Sequence, residues 1–334
     1  VLFRSETMSL DPEDVVILNH PYEGGTHHPD ILVFKPIFVD GILCGLSAAL
    51  GHHIDVGGRS PGSISSDARD VFEEGLIIPP LKLYRKGELI PEILEMITAN
   101  VRVPEKTMGD IRAEIAAVAI GQSRYVELAQ KYGRVNLETT IQACLDNSEK
   151  LMREDLSRLP DGSFSATGYL DSDGISDDPV PITVNITKER SEVIVDFSGS
   201  SPQVEGPFNC SLSSVYSAVY AGVRYMVSPL IMQNEGCYRP IQVVRPEGTI
   251  VNPRRPAPIS GRFTTLERIA DTIVLAFNTI RGDDQVASGV ACVCSFAVDG
   301  VESRSGRPFV CFEIFGGGWG ATAKGDGLDA SFGL

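Results

Sequence analysis

The chain has 334 residues, of which 43% are hydrophobic and 22% charged, a composition typical of a folded globular protein. This length exceeds one ordinary hydrophobic core and predicts about two domains. Asp plus Glu number 44 against 29 Lys plus Arg, giving a net charge of −15. That surplus argues against nucleic acid as the main partner, because a phosphate backbone requires a basic surface. The sequence shows neither a membrane span nor a secretory signal, so we expect no membrane partner.

The cysteines indicate the compartment. They number seven, without a Cys-x-x-Cys pair, which is not the pattern of a disulfide framework and favours a reducing, cytoplasmic location. Cys292 and Cys294 lie in an alternating apolar run, where we interpret both thiols as small core residues rather than metal ligands. The chain begins without Met and stops shortly after a Gly-rich segment, so we expect a fragment of a longer subunit.

In chain order, the first predicted element is a hairpin. "DVVILNH" at 14–20 is a short apolar run, and the next apolar segment contains Asp40-Gly41, a strong hairpin-turn dipeptide. The arms of an antiparallel hairpin run back side by side, so the residues at their far ends become neighbours. Asp30 precedes the first arm and His52 follows the second, each about ten residues from the turn. The sequence therefore predicts that these two residues meet.

The next segments are a loop, a strand pair and two helices. Residues 56–87 contain the Gly, Pro and Ser typical of irregular structure, with a strand pair broken at Pro79-Pro80 near their end. One helix is predicted between Pro104 and Gly133, and a second over 136–160.

The second half of the chain is rich in predicted strands. A strand pair turns around Lys188–Ser191, two helical segments follow, and a strand hairpin ends the chain. Strands dominate without alternating strictly with helices, which predicts an α+β fold with mixed, largely antiparallel sheets and hairpins, packed helices and more than one domain. We expect a hairpin-based domain with a helical C-terminal part at 12–160. A second α+β domain, incomplete at its C-terminus, is expected at 161–334.

The histidines are the strongest functional signal. All five lie between positions 20 and 53, and four belong to two His-His-x-Asp stretches, at 27–30 and 52–55. Imidazole nitrogens and carboxylate oxygens suit a divalent transition ion such as Zn, Mn, Fe or Ni. Neighbouring residues of an extended chain point to opposite sides, so one histidine of each pair is the expected ligand.

These stretches predict a metal site with two histidines and one carboxylate, which makes the hairpin-based domain at 12–160 the expected metal-site domain. Asp55 is either a fourth ligand or the carboxylate that orients an imidazole. A free coordination position would let the ion lower the pKa of a bound water. A purely structural histidine cluster is the alternative.

Other catalytic motifs are weak or missing. "FGGGWGATAKGDG" contains no P-loop, and its Gly316, Gly318, Ala321 spacing lacks the following helix of a dinucleotide site, so a tight loop near a subunit contact is favoured. No G-x-S-x-G elbow is present. No histidine follows His53 to serve a Ser or Cys nucleophile in the usual chain orders.

Seven motifs distributed along the chain carry a family resemblance. They are "DVVILNHPYEGGTHHPDILVFKPIF", "GHHIDVGGRSPGS", "EGLIIPPLKLYRKGEL", "ANVRVPEKTMGDIRAEIAA", "NEGCYRPIQVV", "EGTIVNPRRPAP" and "GGGWGATAKGDGLDA". Together they resemble the B-type subunits of the hydantoinase/oxoprolinase family, which includes N-methylhydantoinase B, the B-type half of 5-oxoprolinase and the related subunit of acetone carboxylase. The resemblance runs from about residue 12 to residue 330, with the motifs in family order and at family-like spacing.

The resemblance implies one subunit of an ATP-dependent enzyme. Such enzymes pair an A-type subunit, which handles ATP, with a B-type subunit. ATP phosphorylates a carbonyl oxygen of a small cyclic amide, or of a ketone in the carboxylases, and the product is opened by water or carboxylated. In the acetone carboxylase relative a manganese ion is held at positions that match His27, Asp30 and His52. The resemblance thus favours Mn over Zn or Fe, and His53 and Asp55 become candidates for catalytic orienting or proton transfer.

Two departures from the family bear on this interpretation. The family usually has an apolar or amide residue at the position of His28, so we interpret His28 as incidental. An acidic family segment upstream of "DVVILN", which supplies a further metal carboxylate, lies before residue 1.

Three alternatives to the hydrolase subunit remain. The first is a subunit of an ATP-dependent ketone carboxylase, and "HHIDVGG" resembles the hydantoinase version more closely. The second is a mononuclear iron oxygenase, whose sites commonly read H-x-D/E rather than H-x-x-D. The third is a non-catalytic partner in which a metal only fixes the hairpin ends.

Overall fold

The computed structural model describes residues 8–292 and 294–331, and its fold is α+β with mixed, largely antiparallel sheets, as predicted. The described residues form two compact units. The first contains 8–65, 71–140 and 297–312, and the second contains the rest. The predicted domain limits, 12–160 and 161–334, stay a prediction.

The first unit is built on a five-stranded antiparallel sheet of β1 (Val15–Leu18), β2 (Asp30–Val39), β3 (Ile42–His52), β4 (Leu81–Arg85) and β5 (Glu88–Leu89). The order of the strands in the sheet is β3-β2-β1-β4-β5. The predicted strand pair broken at Pro79-Pro80 is wrong in one respect, because both prolines precede the β4–β5 pair. A proline has no N–H to donate to a ladder, so the strand begins after them.

Helices cover one face of this sheet. α1 (Pro91–Ala99) was not predicted, whereas α2 (Pro104–Tyr132) begins at the predicted proline and ends before Gly133, as expected. α2 packs on β2 and β3, and its buried positions recur every three or four residues, as on one face of a helix. α3 (Arg134–Leu156), whose residues 141–156 belong to the second unit, ends four residues before the predicted stop at Pro160.

The second unit contains the elements β6 (Gly162–Leu170), β7 (Val180–Glu189), β8 (Glu192–Asp196), α4 (Leu212–Arg224), α5 (Glu235–Tyr238), β9 (Ile241–Val244) and α6 (Arg262–Phe277). Its four strands form the sheet β6-β7-β8-β9, antiparallel except for the parallel pair β8–β9. α4 and α6 pack against each other, and α6 packs on β6 and β7. Gly222 permits the close helix contact, since a Cβ there would lie 2.8 Å from the Cβ of Ile273.

The predicted closing hairpin is confirmed as β10 (Cys294–Val301) and β11 (Pro308–Phe315). The core interpretation of the nearby thiols is wrong, because Cys294 is exposed and Cys292 precedes the strand, partly exposed. All seven cysteines lie in the described residues, and no disulfide joins them. Among the helices that the structure describes, none combines the length and apolar character required to cross a membrane.

Candidate metal centre

The β2–β3 hairpin brings the two His-His-x-Asp stretches together, which confirms the structural prediction. Asp40 and Gly41 form its turn with φ values of 51° and 76°, the left-handed conformations that a two-residue turn requires. Asp30, the first residue of β2, is the direct cross-strand partner of His52, the last residue of β3. Directly opposed residues of an antiparallel pair project from the same face of the sheet, so both side chains share one side.

His27 reaches the same place through a turn. The amide of Asp30 donates to the carbonyl of His27 at 3.1 Å, which folds residues 27–30 back on themselves. The Nδ1 atom of His27 then lies 2.7 Å from Oδ2 of Asp30, which also accepts a hydrogen bond from the hydroxyl of Thr26. Carboxylate–imidazole contacts of this kind fix the orientation of metal-binding histidines.

His27, Asp30 and His52 form one cluster of donor atoms. One nitrogen or oxygen from each lies within 4.8 Å of those of the other two, and no other group of this kind occurs in the described part of the chain. His27 is 0% exposed and Asp30 6%, whereas His52 is exposed and stacks on Phe312 at a centroid distance of 5.6 Å. Two imidazoles and a carboxylate, buried on one side and open on the other, fit a divalent transition ion that retains a water position.

His53 contacts a different element from His52. It is completely buried, and its Nε2 lies 3.5 Å from Oε1 of Glu114 on α2. Burial raises the pKa of the Glu114 carboxyl, and the nearby imidazole offsets part of this shift. Gly51 belongs to the same contact, because a Cβ at this position would overlap the Glu114 carboxylate. The predicted catalytic role of His53 stays a prediction, and its described contacts anchor the end of β3 to α2.

Asp55 accepts hydrogen bonds from its own loop and from Arg102, which precedes α2. Its carboxylate accepts bonds from the amides of Gly57, Gly62 and Arg102 at 3.1, 3.3 and 2.9 Å, and from Nη1 of Arg102 at 2.8 Å. Asp55 is 0% exposed and outside the donor cluster. These contacts fix the loop that follows β3, while its predicted catalytic role stays a prediction.

The remaining histidines lie apart from the cluster. Burial and the neighbouring His20 lower the pKa of His28 to about 4, so its imidazole is neutral at neutral pH. The Nδ1 atom of His28 is 3.6 Å from Oε2 of Glu74. Nδ1 of His20 accepts a hydrogen bond from the amide of Tyr22.

Sequence reasoning missed two neighbours of the site. Phe312 is distant in sequence, and no local pattern connects it with His52. Glu114 does carry a signal, because it lies three residues after Ile111 and four before Val118, on the apolar face of α2. A carboxylate at such a position requires a buried partner, which here is His53.

Fold and cluster together define an α+β protein with a candidate mononuclear metal centre at the end of an antiparallel hairpin. The model of the family described as Hydantoinase B/oxoprolinase matches residues 2–333, and the chain belongs to this family.

Three known proteins show how far the similarity extends. The B-type subunit of a putative D-/L-hydantoinase from Pseudomonas sp. (strain NS671) is 35% identical over 329 residues, covering 95% of this chain and 55% of that protein. The crystal structure of the ATP-dependent caprolactamase from Pseudomonas jessenii is similar with a TM-score of 0.85 and 28% identity, over 96% of this chain and 56% of that chain. A nucleotide-free acetone carboxylase structure has a TM-score of 0.87 over 98% of this chain and 46% of that chain. At 20% identity it shows the fold alone. The chain spans about half the length of each of these three proteins.

Proposed function

We propose that the chain is the metal-binding part of the B-type subunit of an ATP-dependent cyclic-amide hydrolase. The observation that carries the proposal is the convergence of His27, Asp30 and His52, with one donor atom of each within 4.8 Å of the others. Membership of the Hydantoinase B/oxoprolinase family supports the reaction class.

Each residue has a distinct task in this proposal. His27, Asp30 and His52 hold a divalent ion, for which Mn is favoured over Zn or Fe by the family resemblance. When bound, such an ion lowers the pKa of a coordinated water and supplies hydroxide near neutral pH. His53, through Glu114, and Asp55, through its four donors, keep the end of β3 and the following loop in place.

ATP is assigned to a partner. The sequence contains no P-loop, and the similar Pseudomonas protein is named as the B-type subunit of a hydantoinase, so we propose a hydantoinase A-type subunit that phosphorylates the ring carbonyl oxygen. Water then adds to the activated carbon, the phosphate leaves, and the C–N bond of the ring breaks as its nitrogen takes up a proton. We propose the cytoplasm as the compartment, because the composition of the chain suits a reducing environment.

A hydrolase is favoured over a ketone carboxylase by the level of similarity. The hydantoinase subunit and the caprolactamase are 35% and 28% identical, against 20% for the acetone carboxylase. Turnover that depends on bicarbonate, in a complex with an A-type subunit, would reverse this preference.

Metal content tests the proposal. Elemental analysis of the purified protein should find about one ion per chain, and both His27→Ala and His52→Ala should lose it. His20→Ala is the matched control, since it removes an imidazole from the same segment but outside the cluster. Circular dichroism confirms that each variant is folded. Retention of the metal in both cluster variants, or equal loss in His20→Ala, would overturn the metal site.

The catalytic part of the proposal needs a separate assay. With an A-type subunit and ATP, Asp30→Ala should abolish ring opening. Normal turnover of this variant would show that the cluster has a structural role and no catalytic role.

A further inference from the structure

The three residues of the candidate metal centre differ in their surroundings. Nδ1 of His27 lies 2.7 Å from Oδ2 of Asp30, which also accepts a hydrogen bond from Thr26, so this part of the cluster is held from within. His52 is the exposed member, at the last position of β3, which is an edge strand of its sheet. An imidazole that rotates freely loses side-chain entropy when it binds a metal. A contact that orients the ring of His52 beforehand therefore increases the metal affinity.

Phe312 of β11 supplies such a contact. Its ring stacks on the imidazole of His52, with the centroids 5.6 Å apart and the ring planes inclined by 18°. The ring of His27 is also near, but its plane is inclined to that of His52 by 45°. A stacked aromatic pair changes an equilibrium constant by about two- to tenfold beyond the effect of burial alone. The stack is thus strong enough to influence metal binding.

Phe312 is itself supported by the loop after β3. A Cβ at Gly62 would lie 3.3 Å from Cδ2 of Phe312 and 3.2 Å from Cβ of Ala297 on β10, so the loop backbone packs closely on both strands of the hairpin. The φ of Gly62 is 73°, a left-handed conformation that favours glycine. Its amide donates to Oδ2 of Asp55 at 3.3 Å. Asp55 thus holds the loop, and the loop supports Phe312.

The β10–β11 hairpin has a second contact with this region. Nε of Arg102, whose guanidinium also pairs with Asp55, lies 3.8 Å from Oδ2 of Asp299 on β10. Both side chains of this second pair are partly exposed, and ion pairs of that kind contribute little to stability. The packing of Gly62 on Phe312 is therefore the main attachment of the hairpin beside the metal centre.

We propose that Phe312 is a positioning residue of the metal centre, whose ring holds the imidazole of His52 in the orientation that the donor cluster requires. Phe312 has no donor atom and acts on the ion only through His52. The inference rests on the proposed metal site and adds to it a residue from the opposite end of the chain. A purely structural role, in which Phe312 only packs the hairpin on the loop, predicts different results in the two experiments below.

The first experiment is a titration of the purified chain with Co²⁺, which binds the same nitrogen and oxygen ligands as other first-row ions and whose visible absorption reports their geometry. Phe312→Leu should weaken Co²⁺ binding about three- to tenfold and change the absorption spectrum. Phe312→Tyr keeps the ring face and should bind within about twofold of the wild type. Phe315→Leu is the matched control, because Phe315 lies on the same strand but stacks on Phe296. Equal affinity of Phe312→Leu and wild type, or equal loss in Phe315→Leu, would overturn the proposal.

The second experiment needs no metal. Stacked rings shift each other's proton resonances, so the NMR signals of the His52 imidazole should move in Phe312→Leu and stay in place in Phe312→Tyr. Circular dichroism confirms that each variant is folded. Lower stability of Phe312→Leu with unchanged imidazole signals and Co²⁺ affinity would leave Phe312 a packing residue and refute the inference. A wild type that binds no Co²⁺ would refute the metal site of the proposed function, whereas the NMR comparison would still decide whether Phe312 orients His52.

Discussion

Replacing Asp55 by alanine should destabilise the first unit strongly. The carboxylate is completely buried and accepts four hydrogen bonds, from the amides of Gly57, Gly62 and Arg102 and from the guanidinium of Arg102. Removing one partner of a buried ion pair costs about 3–5 kcal/mol. Arg102 is 28% exposed and can regain water, which lowers its share of the loss. We therefore expect a decrease in the free energy of unfolding of about 3 kcal/mol.

Urea unfolding followed by circular dichroism measures this decrease. A double-mutant cycle with Arg102→Met isolates the ion pair, and the Arg102 substitution should cost about 1–2 kcal/mol less in the Asp55→Ala background than in the wild type. A change within about 0.5 kcal/mol of wild-type stability would refute this reasoning. If such a stable variant also lost ring opening, Asp55 would belong to the catalytic residues instead.

Other substitutions test the packing and the electrostatics. Gly109→Ala should stabilise α2 by about 0.5–1 kcal/mol, because no atom lies within 4 Å of the new Cβ and alanine favours helices. Gly222→Ala should cost about 1–3 kcal/mol, because its Cβ would lie 2.8 Å from that of Ile273. Urea midpoints measure both. Burial raises the pKa of Asp14, but backbone hydrogen bonds and Lys82, 2.6 Å away, lower it overall. The stabilisation that the Asp14 carboxylate contributes should therefore be present above its unfolded pKa of about 3.8. It should vanish as the pH falls through the pKa of this carboxyl in the folded protein. The stability difference between wild type and Asp14→Asn should shrink as the pH falls through the unfolded and then the folded pKa of Asp14, and a constant difference would contradict the ion pair.

Local signals predicted the elements that have distinctive ends. Pro104 and Gly133 delimit α2 because proline suits the first turn of a helix and glycine its end. The Asp40-Gly41 dipeptide predicted the first hairpin because both residues adopt the left-handed conformations that a two-residue turn requires. α1 was missed because it is short and because the side chain of its N-cap residue, Ile90, makes no capping hydrogen bond. Such a helix depends on packing of Ile97 and its neighbours, which the sequence does not display.

The candidate site was predictable in its residues but not in its exact register. A two-residue turn at Asp40-Gly41 pairs Val39 with Ile42, and continuing that ladder would place Asp30 opposite Gly51. The structure pairs Asp30 with His52, because the register shifts by one residue between Ile37 and Phe38. A bulge of this kind adds one residue to one strand, and no turn dipeptide reveals it.

The bulge explains why two consecutive histidines have different surroundings. A shift of one residue exchanges the two faces of a strand, so with an unbroken ladder His52 would no longer share a face with its partner Asp30. With the bulge, His52 lies beside Asp30 and is exposed, while His53 is buried against Glu114 of α2. One imidazole of the pair is thus available to a metal and the next fixes the strand end that carries it. The doubled histidine of "GHHID" is therefore better explained by two separate contacts than by two ligands to one ion.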